Sequence, residues 1–196
     1  MSPKRWIGLC GAAGAGKDYT YALLRKHFPG INRIAFADPL KSILIATDPI
    51  ILPDRTRLSD VLFEMSFDKA KREHLEIRRL LQKLGTDGIR NTLGQDIWIR
   101  TALDKGREGL NVFTDVRFPN EADAIRAEGG LVVRVTRPAA PLLRSEFMSH
   151  ASERDSSGIH EDFTFENDGN AENVDALVKY VRSVLDDAND ADNAEN

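Results

Sequence analysis

One stretch near the start of the chain decides the fold: Gly11-Ala12-Ala13-Gly14-Ala15-Gly16-Lys17-Asp18. An apolar run over residues 6–10 precedes it, and Tyr19, Ala22 and Leu23 follow at helical spacing. A strand, a loop spaced G-x-x-x-x-G-K and a helix are typical of a phosphate-binding loop, in which backbone N–H groups surround phosphate and the lysine reaches the outer phosphates. The stretch therefore predicts nucleotide binding, and an ordinary glycine-rich turn is the alternative.

Two positions depart from the usual loop pattern. The residue after the lysine is commonly Ser or Thr, which ligates magnesium, but here it is Asp18. Tyr19 stands where a small hydroxyl residue is common. A helix that begins at the loop still adds positive dipole character where phosphates would sit. The departure at Asp18 has to be explained.

Composition limits the class of protein. The 196 residues carry 27 basic and 31 acidic side chains, a net charge of -4, and include no basic block of the kind that marks a nucleic-acid surface. Cys10 is the single cysteine, and its place at the end of an apolar strand predicts a buried thiol. No apolar run approaches the length of about 20 residues that spans a bilayer. We expect a cytoplasmic protein that binds neither membrane nor nucleic-acid polymer.

Apolar runs alternate with helical periodicity along the rest of the chain. Strands are predicted over 33–37, 110–114, 131–135 and 162–166, which with the first gives a parallel sheet of about five strands flanked by helices, an α/β fold. Helices are predicted over 58–65, over 68–84 with Gly85 as the end, over 120–128 and from Asn170 onward. The domain plan is one domain over 1–187, with a helical region over about 46–106 and an acidic, disordered tail over 188–196.

Polar residues follow two of these strands at their carboxyl ends, where ligands bind in open α/β sheets. Asp38 and Lys41 come after the second strand, although Asp38 also suits a helix cap with Pro39 at the first helical position. Asp115 ends the third strand as the acidic residue of a Walker B site does, opposite Lys17, and a turn role is the alternative.

Two segments leave their role open. The segment from residue 78 to residue 98 offers groups for a phosphate, a base edge and a base face: the arginines, including Arg79 and Arg90, the glutamines Gln82 and Gln95, and Trp98. A solvated helical face with a core tryptophan fits equally well. Residues from about 137 to 158 lose periodicity and carry Arg137 and Arg144, which suits a lid that closes over a phosphoryl group. A plain surface loop is the alternative.

With these segments in view, the sequence resembles the bacteriophage deoxynucleoside monophosphate kinases, members of the P-loop kinase superfamily. The resemblance rests on motifs spread over most of the chain: Gly16-Lys17-Asp18, Phe36-Ala37-Asp38-Pro39-Leu40-Lys41, Leu81-Gln82-Lys83-Leu84-Gly85-Thr86, Asp96-Ile97-Trp98, Thr114-Asp115-Val116-Arg117-Phe118-Pro119-Asn120-Glu121 and Asn167-Asp168-Gly169. It also accounts for Asp18, because G-K-D is characteristic of that group.

The resemblance implies a three-layer P-loop kinase fold and transfer of the ATP γ-phosphate to a deoxynucleoside 5′-monophosphate, with ATP and Mg²⁺ required. Gly11 to Lys17 and Tyr19 would bind ATP, Asn167 and Gly169 would lie near adenine, and Asp18 and Asp115 would hold Mg²⁺, partly through water. Transition-state charge would be neutralised by Lys17, Arg117, Arg137 and Arg144. The acceptor would be bound by Asp38, Lys41, Arg79, Gln82, Thr86 and Trp98. A homodimer is left open by the same analogy.

Three other readings compete with this one. The nearest is another small-molecule P-loop kinase, of the phosphomevalonate or dephospho-coenzyme A type. A GTPase-like switch would need an N-K-x-D motif after a strand, and the sequence has none. A structural protein with a vestigial loop would be expected to lose Lys17 or Asp115, whereas both are present.

Overall fold

The structure is a computed structural model that describes the backbone of residues 4–138 and 158–194 and the side chains of residues 4–138 and 158–186. The chain divides into two compact units. One, here called the sheet unit, contains the described residues up to Ala35 and from Lys105 onward, and the other, the helical unit, is Phe36–Asp104. The sequence predicted a helical region over about 46–106, so the helical unit begins ten residues earlier, with the helix that follows the second strand.

The elements alternate as the sequence predicted. The strands are β1 (Lys4–Cys10), β2 (Asn32–Ile34), β3 (Gly109–Phe113), β4 (Leu131–Thr136) and β5 (Phe163–Glu166). The helices are α1 (Lys17–His27), α2 (Asp38–Thr47), α3 (Leu58–Glu64), α4 (Phe67–Glu73), α5 (Leu75–Gln82), a π-helical segment (Lys83–Arg90), α6 (Asn91–Leu93), α7 (Ile97–Leu103), α8 (Pro119–Ala127) and α9 (Ala171–Ala194).

The sheet unit is built on a five-stranded parallel sheet in the order β2-β3-β1-β4-β5. The order confirms the predicted fold class. From β1 the chain forms β2 and β3 on one side of this central strand, and it then crosses to form β4 and β5 on the other side. The strand order therefore reverses beside β1, which is where open α/β sheets bind ligands. All five carboxyl ends lie along one edge of the sheet, and the glycine-rich loop leaves that edge from β1.

Alternation along β1 assigns its two faces to different helices. Ile7 and Leu9 belong to a buried cluster that includes Leu24 of α1 and Leu177 of α9. On the opposite face, a Cβ placed on Gly8 would lie 2.7 Å from Cδ1 of Ile125 in α8, so this helix packs directly on the strand backbone. The sheet unit therefore has three layers, with α1 and α9 on one side and α8 on the other. Cys10 is fully buried, as predicted.

The helical unit corrects the prediction of one helix over residues 68–84. The chain becomes extended at His74, which separates α4 from α5. It then passes through Gly85 in the π-helical segment instead of ending there. A Cβ on Gly85 would lie 2.7 Å from Cδ2 of Leu40, and the Gly85 carbonyl accepts the indole N–H of Trp98 at 3.1 Å. Gly85 thus permits close packing inside the unit, a use that helix-end statistics do not anticipate.

The closing part of the chain also differs from expectation. Helix α9 continues to Ala194, so residues 188–194 are helical where an acidic, disordered tail was predicted. The alanines at 188, 191 and 194 have high helix propensity, which explains why the helix continues past its apolar face. The predicted lid, about 137–158, lies largely outside the described residues. Among the residues that are described, no helix combines the length and apolar character needed to span a bilayer.

Candidate active site

The glycine-rich loop has a backbone shape that requires glycine at two positions. Gly11 has φ +126°, and a Cβ there would lie 2.2 Å from the carbonyl oxygen of Val135 in β4. Gly16 has φ +101°, and a Cβ there would lie 2.1 Å from Nδ2 of Asn167. Both backbone conformations disfavour other residues, and both sites lack room for a side chain. The loop at the carboxyl edge of β1 therefore has a backbone shape that excludes side chains at Gly11 and Gly16.

Lys17 is the first residue of α1, and its side chain turns back over the loop. The Nζ ammonium donates to the carbonyl oxygens of Gly11 at 2.7 Å and Ala12 at 3.0 Å. The other end of the loop is fixed by Thr20, a fully buried residue whose N–H and hydroxyl both donate to the Gly16 carbonyl, at 2.8 and 3.1 Å. Because first-turn N–H groups have no partner within their own helix, the start of α1 and the ammonium together suit an anion.

Asp18 lies in the first turn of α1 with an exposed carboxylate. Its Oδ1 lies 3.8 Å from Nη2 of Arg33, the middle residue of β2. Next to it, the Tyr19 side chain is half exposed. Of the other predicted loop residues, Ala13 is half-buried, Ala15 is buried and Gly14 is exposed, and a Cβ on Gly14 would meet nothing within 4 Å.

Asp115 follows β3 at the same edge of the sheet. The N–H of Thr114 donates to the Ile34 carbonyl at 3.0 Å, and the N–H of Val116 donates to the Leu9 carbonyl at 3.1 Å. These bonds hold the half-buried Asp115 between the ends of β2 and β1. The Thr114 hydroxyl oxygen is buried and has no hydrogen-bond partner among the described residues. A buried hydroxyl without a partner is unfavourable, so this oxygen is suited to a ligand or a bound water.

Glu121 belongs to the motif of residues 114–121, but the sequence predicted no role for it. Only 3 % of its surface is exposed, and its Oε2 accepts the backbone N–H groups of Arg117 at 2.8 Å and Phe118 at 3.2 Å. These bonds fix the turn from β3 into α8 and with it the backbone of Arg117. The signal was available, since Glu at the third helical position after Pro119 is a helix-start pattern.

Asn167 and Gly169 lie just beyond β5. The side-chain amide of Asn167 donates from Nδ2 to the Ala15 carbonyl at 2.9 Å, so it reaches the glycine-rich loop directly. Gly169 is exposed, has φ +87° and forms part of the turn into α9. The predicted place of these residues near adenine stays a prediction. Arg137 is exposed directly after β4, and Arg144 lies outside the described residues.

In the helical unit, two predicted acceptor residues are brought together. Lys41 Nζ lies 3.7 Å from Oδ1 of Asp38 and 3.8 Å from Oδ1 of Asp68. The same ammonium lies 5.7 Å from the ring centroid of Phe67. Asp38 is the first residue of α2 and follows its cap, Ala37, so the cap role considered for Asp38 is not the one observed.

Arg79 is paired within its own helix. Its Nε and Nη2 donate to the two carboxylate oxygens of Glu76 at 2.6 and 2.5 Å. This hydrogen bonding lowers the pKa of the Glu76 carboxyl and raises the pKa of Arg79. Arg79 would have to exchange this carboxylate for a phosphate in order to act as predicted.

Gln82, Thr86 and Trp98 lie in or against the π-helical segment. Gln82 Nε2 is buried without a hydrogen-bond partner among the described residues, and Thr86 is half-buried. Trp98 is 9 % exposed and donates to the Gly85 carbonyl, which is the behaviour of a core tryptophan. The contact supports the core alternative that the sequence left open, and an acceptor-binding role for Trp98 stays a prediction.

A metal site would have to use few protein ligands. The described residues contain no group of three or more His, Cys, Asp or Glu side chains arranged to hold a metal. Mg²⁺ is commonly bound by one or two carboxylates together with substrate phosphates and water. Asp18 and Asp115 are two carboxylates at the carboxyl edge of the sheet, so their chemistry fits this ion, and their role as its ligands stays a prediction.

The comparisons with known proteins agree with the resemblance. The profile of the family "Deoxynucleotide monophosphate kinase" matches residues 55–178. The "Putative deoxynucleotide monophosphate kinase" of Acanthamoeba polyphaga mimivirus is 29 % identical over 146 residues, which cover 67 % of this chain and 74 % of that protein. The "Deoxynucleotide monophosphate kinase" of Enterobacteria phage T4 is 32 % identical over 115 residues, covering 56 % of this chain and 46 % of the phage protein.

Among solved structures, shikimate kinase from Bacteroides thetaiotaomicron has 13 % identity and a TM-score of 0.43, covering 92 % of this chain and 98 % of that one. Dephospho-CoA kinase from Campylobacter jejuni has 16 % identity and a TM-score of 0.41, covering 92 % and 97 %. Likenesses this weak carry no argument about function. The family match spans more than half of the chain and includes Asp115, Arg117 and Asn167. The chain belongs to the deoxynucleotide monophosphate kinase family.

Proposed function

We propose that this protein transfers the γ-phosphate of ATP to a deoxynucleoside 5′-monophosphate and so forms the diphosphate. The observation that carries the proposal is the loop of residues 11–17, whose backbone shape excludes side chains at Gly11 and Gly16 and whose Lys17 ammonium lies over it. This loop precedes the segment matched by the family profile, so it supports phosphate binding independently of that match. The acceptor class comes from the family, whose members are named for deoxynucleotide monophosphates.

The chemistry needs positioning and positive charge more than a strong base. In-line transfer between two anions is accelerated mainly by holding the reacting oxygens in place and by neutralising charge that develops on the transferred group. The loop N–H groups and Lys17 supply both for ATP, once the ammonium exchanges its bonds to Gly11 and Ala12 for phosphate oxygens. Arg117 is positioned through its backbone by Glu121, and it supplies further positive charge.

Asp18 and Asp115 are the residues that would hold Mg²⁺, which would neutralise phosphate charge there. The exposed Asp18 carboxylate lies on the helix that starts at the loop, and Asp115 lies at the end of β3. The buried Thr114 hydroxyl next to Asp115 supports a ligand or ordered water at this edge of the sheet.

The helical unit is the proposed source of acceptor contacts. Most of it lies within the family match, including Arg79, Gln82 and Trp98. Gln82 is the best supported of these, because its buried Nε2 has no partner among the described residues and an unmade hydrogen bond of that kind is unfavourable. Because this nitrogen is buried, the Gln82 side chain would have to turn before an acceptor could receive the bond.

An assay of ADP release with ATP and magnesium tests the function directly. It is run against the four common deoxynucleoside monophosphates, modified pyrimidine monophosphates, phosphomevalonate and dephospho-coenzyme A. We expect turnover with one or more of the nucleotides. Turnover only with phosphomevalonate or dephospho-coenzyme A would refute the proposed acceptor class.

Replacing Gln82 separates acceptor binding from packing. Gln82→Leu keeps the side-chain volume but removes the amide, so we expect an increase in the acceptor KM of about tenfold, an unchanged ATP KM, and stability equal to or above that of the wild type. Gln95→Leu is the matched variant, because the Gln95 amide oxygen accepts from Nε of the buried Arg90 at 2.7 Å. It should lower stability instead. Loss of stability in Gln82→Leu with an unchanged acceptor KM would remove Gln82 from the site.

A further inference from the structure

We propose that Asn167 is a positioning residue that orients a backbone N–H of the glycine-rich loop toward phosphate. The inference rests on the proposed function only in taking this loop as the place where ATP phosphates bind. It differs from the role near adenine that the family resemblance implies for Asn167, because the amide is already bonded to the loop.

The backbone of Asn167 is fixed to the sheet. Its N–H donates to the Thr136 carbonyl at 2.7 Å, which continues the β4–β5 ladder one residue past Glu166. The turn that follows is held by Asp168, whose Oδ1 accepts the N–H of Asn170 at 2.8 Å and Nδ2 of Asn173 at 3.1 Å. These two bonds lower the pKa of the Asp168 carboxyl. The bond to Thr136 therefore holds the backbone of Asn167 to the sheet at the point from which its side chain reaches the loop.

The side chain makes two contacts with the loop, 152 residues away in sequence. Nδ2 donates to the Ala15 carbonyl at 2.9 Å, and the same nitrogen occupies the space where a Cβ of residue 16 would lie. A carbonyl oxygen can only accept, which assigns the amide nitrogen, and not the amide oxygen, to this contact. Glycine at position 16 is thus needed for the approach of Asn167 as well as for its φ of +101°.

The bond fixes one peptide plane. Because the peptide is planar and trans, the Ala15 carbonyl and the Gly16 N–H point in opposite directions. When Asn167 holds the carbonyl on its own side, the Gly16 N–H is directed away from Asn167. The next peptide plane is held separately, since the Gly16 carbonyl accepts both donors of Thr20. Without Asn167, the plane between Ala15 and Gly16 could rotate, because glycine permits the necessary change in φ.

The test separates phosphate binding from adenine binding in the intact chain. Affinities for ATP, for tripolyphosphate and for adenosine are measured by calorimetry in the wild type, Asn167→Ala and Asn167→Asp. We expect Asn167→Ala to weaken ATP and tripolyphosphate equally, by about tenfold, and to leave adenosine unchanged. Asn167→Asp avoids a cavity yet cannot donate, so it should weaken both phosphate ligands at least as much. The amide resonance of Gly16 should shift on addition of tripolyphosphate in the wild type and lose that shift in both variants.

Asn173→Ala is the matched variant, because it removes an asparagine amide that serves the same turn but does not touch the loop. It should bind tripolyphosphate like the wild type. Weakened adenosine with unchanged tripolyphosphate in Asn167→Ala, or equal losses in Asn173→Ala and Asn167→Ala, would overturn the inference. A wild type that binds tripolyphosphate but phosphorylates no nucleotide would instead refute the proposed function and leave this inference intact.

Discussion

The glycine-rich loop of the sheet unit and the π-helical segment of the helical unit both place a glycine against a side chain that is distant in sequence. Gly16 meets the Asn167 amide, and Gly85 meets the Leu40 methyl group. They differ in what the glycine is for. Gly16 is required first by its positive φ, whereas Gly85 lies in a helical segment and is required by packing. A glycine that is required for its backbone conformation can be recognised from the local sequence pattern. A glycine that is required for packing depends on distant residues that the local pattern does not include.

Lys17→Ala should produce the largest effect on activity. The variant removes an ammonium that the loop holds over its own carbonyls, so we expect kcat to fall by about 10²–10³-fold or more. The fold should persist, since Lys17 is not part of the buried cluster. Lys26→Ala, which removes an exposed lysine from the last turn of the same helix, should keep wild-type turnover. Wild-type activity in Lys17→Ala would remove the loop from the site.

Substitutions at Gly11 and Gly14 distinguish the cost of a positive φ from the cost of a close contact with β4. Gly11→Ala adds a Cβ 2.2 Å from the Val135 carbonyl at a φ of +126°, and we expect a loss of about 3 kcal/mol or more in the free energy of unfolding. Gly14→Ala has a φ of +84° but open space, so it should lose only about 1 kcal/mol. Urea unfolding measures both values. Equal losses would mean that the approach of β4 to the loop contributes nothing.

The difference between Gly16 and Gly85 also explains which features could be predicted from the sequence. The loop, the five strands and the place of Asp115 after β3 follow from short patterns, and each was predicted close to its observed place. The break at His74 and the passage of the helix through Gly85 were not predicted, and the passage through Gly85 depends on Leu40 and Trp98 from other elements of the helical unit. The contact of Asn167 with Ala15 was also beyond reach, since no local rule joins residues 152 positions apart.

Gly85→Ala tests whether packing alone explains the second glycine. A Cβ there would lie 2.7 Å from the end of the flexible Leu40 side chain, so we expect a loss of about 1–3 kcal/mol, below that of Gly11→Ala. In a Leu40→Ala background the same change should cost less or even stabilise, because alanine favours helix over glycine. Leu44→Ala removes another buried leucine of α2 and should leave the cost of Gly85→Ala unchanged. Equal costs in all three backgrounds would contradict the packing explanation.

The smallest expected effect concerns two ion pairs, one between residues distant in sequence and one within a single helix. Arg134 Nε donates to Glu161 at 2.8 Å across 27 residues, and Arg79 donates to Glu76 within one turn of α5. Each arginine lowers the pKa of its carboxyl partner by hydrogen bonding. A lowered pKa in the folded state contributes stability above the unfolded-state value, about 4.3, and that contribution is lost as pH falls through the folded value.

Glu161→Gln should therefore reduce stability at pH 7 by up to about 1 kcal/mol, given that the pair is partly exposed, and the difference from wild type should shrink as pH falls below 4. Glu76→Gln should follow the same direction with a smaller difference, because an i, i+3 pair also forms in transient helices of the unfolded chain. Urea unfolding from pH 3 to 7 measures both curves. A larger effect at Glu76 would show that the local pair contributes more to stability than the long-range pair. Contacts between residues distant in sequence would then matter less for these charges than they do for the packing of Gly85.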